Sequence, residues 1–234
     1  MIIDTSIIDI FNCEGLNENS HWIFSKVVDG EILFELPKYD KSIVNKIVQL
    51  IIDELENFKP CNEKIILEIW PDFFEILSYV EVILAVGIPK PYDAMVRDGY
   101  IIFDIGNFLD YEMTKGKMIS FVRNMLTHEA IHVLIQRDYP KEKNLEYISF
   151  DEGFAHLLAN WEDVSTVDFD QYEDKYLTAK EKYFKVLEDH ELDPDFREAN
   201  EGPFWYKYAA IYGCLALAKN KDDLLRIYKK GAIK

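Results

Sequence analysis

The strongest constraint on this chain is an apolar periodicity that begins at Thr114 and ends near Tyr139. Met118, Ile119, Val122, Met125, Leu126, Ile131, Leu134 and Ile135 recur at helical spacing. Thr114 stands where an N-cap belongs, and Pro140 disfavours helix in the residue before it. The pattern predicts one long helix. Inside it lies the run THEAIHVL, from Thr127 to Leu134, which sets His128 and His132 four positions apart. On a helix, residues so spaced share a face. Two imidazoles in that relation can share one zinc ion at about 2.0–2.1 Å each. Glu129, beside the first histidine, can reach a water at the ion while leaving the coordination to the histidines, which is the physical content of the HExxH pattern. The competing reading of the pair is two histidines satisfied by hydrogen bonds in a core.

A catalytic zinc needs a third protein ligand and an open position. The continuation HExxHxxGxxH is absent, because Gln136 follows Ile135 and no third histidine appears. Downstream, residues 150–161 read FDEGFAHLLANW, and Glu152 lies twenty positions after His132. That gap fits the end of one helix, a loop and the start of an antiparallel helix, so Glu152 could return to the ion.

At this point the sequence resembles the gluzincins, the thermolysin-like zinc peptidases whose third ligand is a glutamate on the next helix. Its likeness is to aminopeptidase-type members and to peptidase-MA-like domains. Asp151-Glu-Gly-Phe-Ala155 is similar to their NEGFA segment, with Asp in place of Asn. The resemblance implies that His128, His132 and Glu152 hold Zn2+, that Glu129 is the general base, and that Asp151 accepts the outward ring N–H of a ligand. It also implies a tyrosine shortly before an apolar helix that stabilises an oxyanion. Tyr206 matches best, with Tyr208 and Tyr212 as rivals and simple packing as the alternative for all three. His156 falls where thermolysin-like enzymes often carry an acid that orients the first histidine. It is open to three readings: a group behind the ligands, an alternative ligand, or a satisfied surface histidine. The GxMEN-type segment that holds a substrate amino terminus in aminopeptidases is missing, so their specificity is not carried over.

The implied fold is α+β and zincin-like, a single catalytic domain. Residues 1–139 form a mixed sheet-and-helix lobe carrying the HExxH helix, and residues 140–234 form a helical lobe. Asp29-Gly30 between apolar runs at 22–28 and 31–36 predicts a hairpin. Asp40 caps a helix that ends before Pro60. Residues 63–69 (EKIILEI) read as a buried strand, and 73–86 are ambiguous between helix and strand. Residues 100–104 (YIIFD), after a turn at Asp98-Gly99, read as a strand. By the resemblance this strand is the sheet edge that pairs with extended substrate. A short helix is expected near 150–161, an amphipathic one over 172–187, a loop over 189–203, an apolar segment over 204–217 and a last helix from Asp222.

The formal charge of −17 excludes a duplex nucleic acid as partner, since phosphate binding needs clustered Lys and Arg. Three scattered cysteines offer no CxxC pair and fit a reducing compartment. No basic leader and no membrane-length apolar run is evident, so the expectation is a cytoplasmic protein without membrane contact. The expected function is zinc-dependent hydrolysis of a peptide or protein substrate. The alternatives are a zincin-like binding module without catalysis, and a zinc hydrolase acting on a non-peptide amide or ester.

Overall fold

The structure is a computed structural model and describes residues 1–25, 27–28 and 31–233. It is a mixed α+β fold, and its contacts divide it into two compact units: residues 1–59 with 74–125, and residues 60–73 with 126–234. The division expected at residue 139 is therefore not where the contacts separate. It falls within the long helix, and the segment 60–73 joins the second unit.

The first unit is built on a four-stranded sheet. Its strands are β1 (Ile2–Asp4), β4 (Glu81–Ala85), β6 (Tyr100–Asp104) and β5 (Ala94–Arg97), in that spatial order. β1 pairs parallel to β4 and β4 to β6, while β5 pairs antiparallel to β6. β4 and β6 are buried along nearly their whole length, as expected of inner strands covered on both faces. Asp98 (φ 51°) and Gly99 (φ 85°) join β5 to β6. Both lie in the left-handed region that a two-residue hairpin turn with the right twist requires.

β6 was the strand expected at the sheet edge. It lies inside the sheet instead, with β4 on one side and β5 on the other, and has no free edge to offer an extended peptide. The reason is β5, which the sequence leaves in an unassigned stretch and which returns through the Asp98-Gly99 turn to cover β6. The same unit holds α1 (Ser6–Cys13), α2 (Lys41–Glu56) and α5 (Ile105–Leu109). α2 follows Asp40 as its spacing predicts, burying Val44, Val48, Ile51 and Leu55. The ambiguous segment resolves into both structures, α4 (Phe73–Tyr79) followed by β4. A second, two-stranded pairing joins β2 (Val27–Val28) to β3 (Glu31–Ile32). It is shorter than the expected hairpin, whose Asp29-Gly30 turn lies outside the described residues.

The second unit is helical. Residues 63–69, expected as a strand, form α3 (Glu63–Ile69). Ile66, Ile69 and Trp70 are buried while Lys64 and Glu68 are exposed, which is helical spacing that a seven-residue apolar run conceals. Asn62 enters this helix with φ 54°. Its side-chain amide donates to the carbonyls of Leu158 and Trp161, and its oxygen accepts from the Val164 N–H.

The long helix α6 (Lys115–Asp138) begins just after Thr114, as predicted. α7 (Leu145–Asn160) starts before the expected residue 150, because Asn144 caps it by accepting from the Tyr147 N–H. α8 (Glu173–Glu188), α9 (Arg197–Asn200), α10 (Tyr208–Lys219) and α11 (Leu224–Lys230) follow. α7 and α10 meet at backbone distance. A Cβ on Gly213 would lie 1.8 Å from the Ser149 carbonyl oxygen, and one on Gly153 would lie 2.8 Å from the Gly213 carbonyl carbon. Two glycines thus set how closely these helices approach. Among the described residues, no helix is long and apolar enough to cross a membrane.

Candidate metal centre

All the candidate site residues belong to the second unit. α6 presents His128 and His132 on one face, and α7 presents Glu152 toward them. The three side chains offer one ligand atom each within 4.8 Å of one another. His128 Nε2 and His132 Nε2 are 3.0 Å apart, and Glu152 Oε1 is 3.7 Å from His132 Nε2. Two ligands of a tetrahedral zinc stand about 3.3 Å apart, and these two separations bracket that value. His132 is buried, while His128 and Glu152 keep partial exposure.

The hydrogen bonds around the cluster orient it. Thr127, fully buried, accepts from the Cys61 N–H at 3.2 Å and anchors the turn that carries His128. Asp151 Oδ1 lies 2.7 Å from His132 Nδ1. A carboxylate only accepts, so Nδ1 carries the proton and Nε2 is turned toward His128 and Glu152. His156 is buried as well. Its Nδ1 accepts from the Asn160 amide at 3.1 Å, which leaves Nε2 to carry the ring proton. Nε2 lies 3.1 Å from Glu152 Oε2, a polar contact that is out of line for a formed hydrogen bond. The His156 ring packs between His128 and Phe204, with centroids 4.4 Å and 4.3 Å away.

Burial and charge set the protonation. Burial pushes the Glu129 carboxyl up to about 7, near the value that suits a proton acceptor at neutral pH. Burial depresses His128 well below its usual range, with His156 and His132 adding to the effect. Burial opposes charge on His132 too, yet the Asp151 carboxylate outweighs it and raises this histidine to about 9. Glu152 is held well below the carboxylate range: burial works against it, and the Lys207 ammonium, His156 and His132 prevail. One proton is therefore held between the two histidines, and a cation at this place must displace it.

The structure brings together His128, Glu129, His132, Asp151, Glu152 and His156 from the expected set. Tyr206 stands one residue before Lys207. It is 77% exposed and ends a 3-10 turn, Phe204–Tyr206. Its rivals are engaged elsewhere, Tyr208 donating to Asp193 at 3.1 Å and Tyr212 packing against Tyr183. The next residue, Lys207, is the one the sequence reading missed. Its ammonium lies 3.2 Å from Glu152 Oε2. The only signal was a lone charge within the aromatic and apolar run FWYKYAAIYG.

Comparison with protein-family models, curated proteins and solved structures yields no match to this chain.

Proposed function

We propose that this protein is a zinc-dependent hydrolase of the gluzincin type that cleaves peptide bonds. His128, His132 and Glu152 would hold the ion and Glu129 would be the general base. One observation carries the reading. Three ligand atoms from two helices lie within 4.8 Å of one another, beside a buried carboxylate that the binding of an ion does not itself require.

A bound zinc supplies a Lewis acid and lowers the pKa of a water toward neutrality. The remaining work falls to the chain. Asp151 fixes His132 with Nε2 directed inward. Glu129, buried and raised to about 7, takes a proton from the attacking water and returns it to the leaving amine.

The test is a peptide-library assay on zinc-loaded protein with elemental analysis alongside. One zinc per chain together with cleavage is the expected result. Zinc at full occupancy with no cleavage across the library would remove the peptidase and favour a non-catalytic binding module. No zinc at all would remove both readings.

A further inference from the structure

Glu152 has two oxygens in different surroundings. Oε2 lies 3.2 Å from Lys207 Nζ and 3.1 Å from His156 Nε2. Oε1 is the oxygen that approaches His132 Nε2, at 3.7 Å. The Lys207 and Glu152 side chains are only 14% and 12% exposed, so water does little to weaken their attraction. Lys207 reaches this place because it joins the Phe204–Tyr206 turn to α10, the helix that Gly213 allows against α7.

We infer that Lys207, assisted by His156, is a positioning residue that reserves Oε2 of Glu152 for itself and leaves only Oε1 for the metal. This inference rests on the metal reading above and adds to it the mode of coordination. If Glu152 closed on the ion with both oxygens, Oε2 would have to leave Lys207, and a nearly buried ammonium would lose its counter-ion. Held by one oxygen, Glu152 counts as a single ligand, and the ion keeps a position open for water and substrate. Lys207 also removes one negative charge from the balance around the ion. It thus lowers metal affinity and keeps the site open at the same time.

A residue that merely held Glu152 in place would, when removed, loosen the metal. A residue that restrains Glu152 would, when removed, tighten it. The test uses full-length wild type, Lys207→Met, Lys207→Arg and His156→Gln, each loaded with cobalt(II) for visible spectroscopy and titrated with zinc against a competing chelator. Far-UV circular dichroism confirms that each variant is folded.

The expected result is intense four-coordinate cobalt bands in wild type and in Lys207→Arg. Lys207→Met should give the weaker bands of a higher coordination number, with zinc bound at least about tenfold more tightly. His156→Gln should move the same way by less, and it carries the test if Lys207→Met does not fold. Unchanged bands, or weaker zinc binding, in the folded variants would overturn the inference while leaving the metal site standing. Failure of wild type to bind either metal would overturn the site and this inference together.

Discussion

Asp151 on α7 accepts the Nδ1 proton of His132 on α6 at 2.7 Å, and that contact turns the other ring nitrogen toward His128 and Glu152. Partners behind metal-ligating histidines typically account for about 10–100-fold in metal affinity. Asp151→Ala should therefore weaken zinc binding by a factor in that range, measured by chelator competition. The rise in melting temperature expected when zinc is added to the wild type should shrink in parallel, since a ligand stabilises the folded state by RT ln(1 + [L]/Kd). Equal affinity in the two proteins would mean that this carboxylate does not support the site.

On the proposed reading Glu129, one residue from His128, would serve the chemistry rather than the coordination. Glu129→Gln should keep one zinc per chain by elemental analysis and lose peptide hydrolysis by about 10²-fold or more, the usual worth of a general base. Full activity in that variant would eliminate the proposed mechanism. Loss of zinc would make Glu129 a ligand instead.

The meeting of α7 and α10 predicts an unusually sensitive position. A Cβ on Gly213 would fall 1.8 Å from the Ser149 carbonyl oxygen, a backbone atom that cannot move independently. Gly213→Ala should cost more than about 4 kcal/mol, the range reserved for gross packing errors. Gly116, in the first turn of α6, meets nothing within 4 Å. Gly116→Ala should be neutral or stabilising by up to about 1 kcal/mol. Urea denaturation of both variants makes the comparison, and a stable Gly213→Ala protein would contradict the close approach of the two helices.

Asp104, at the end of β6, accepts from the N–H groups of Ile88 and Asn107 at 2.8 and 2.7 Å. Those donors favour its charged form, but burial dominates and raises the carboxyl to about 7. The folded state therefore keeps a proton that the unfolded chain releases near its ordinary value of 3.8. The contribution to stability is full below that value and is lost as pH rises through about 7. One such proton is worth up to about 1.4 kcal/mol per pH unit. Between those limits, wild type should lose stability relative to Asp104→Asn as pH rises, in urea unfolding at a series of pH values. The variant should start lower, because its amide cannot accept at both positions. Parallel profiles for the two proteins would show that Asp104 is ionised throughout.

What was legible in the sequence was local. The 3.6-residue period defined α6, and it put His128 and His132 on one face with Glu129 between them, because helical geometry follows from spacing alone. The start of α6 after Thr114 and the turn at Asp98-Gly99 were legible for the same reason, each being decided by a few adjacent residues. Glu152 was within reach because only one loop separates its helix from α6.

The rest required the fold. Whether residues 63–69 coil or extend depends on which of their faces meets α7 and α11, and a seven-residue apolar run suits either. β6 became an inner strand because β5 folded back over it, a pairing that the unremarkable stretch before Asp98 does not announce. Lys207 reaches Glu152, fifty-five positions away in the chain, because Gly153 and Gly213 let two helices touch at the backbone. Proximity of that kind is a property of packing, and packing is settled by the whole unit at once.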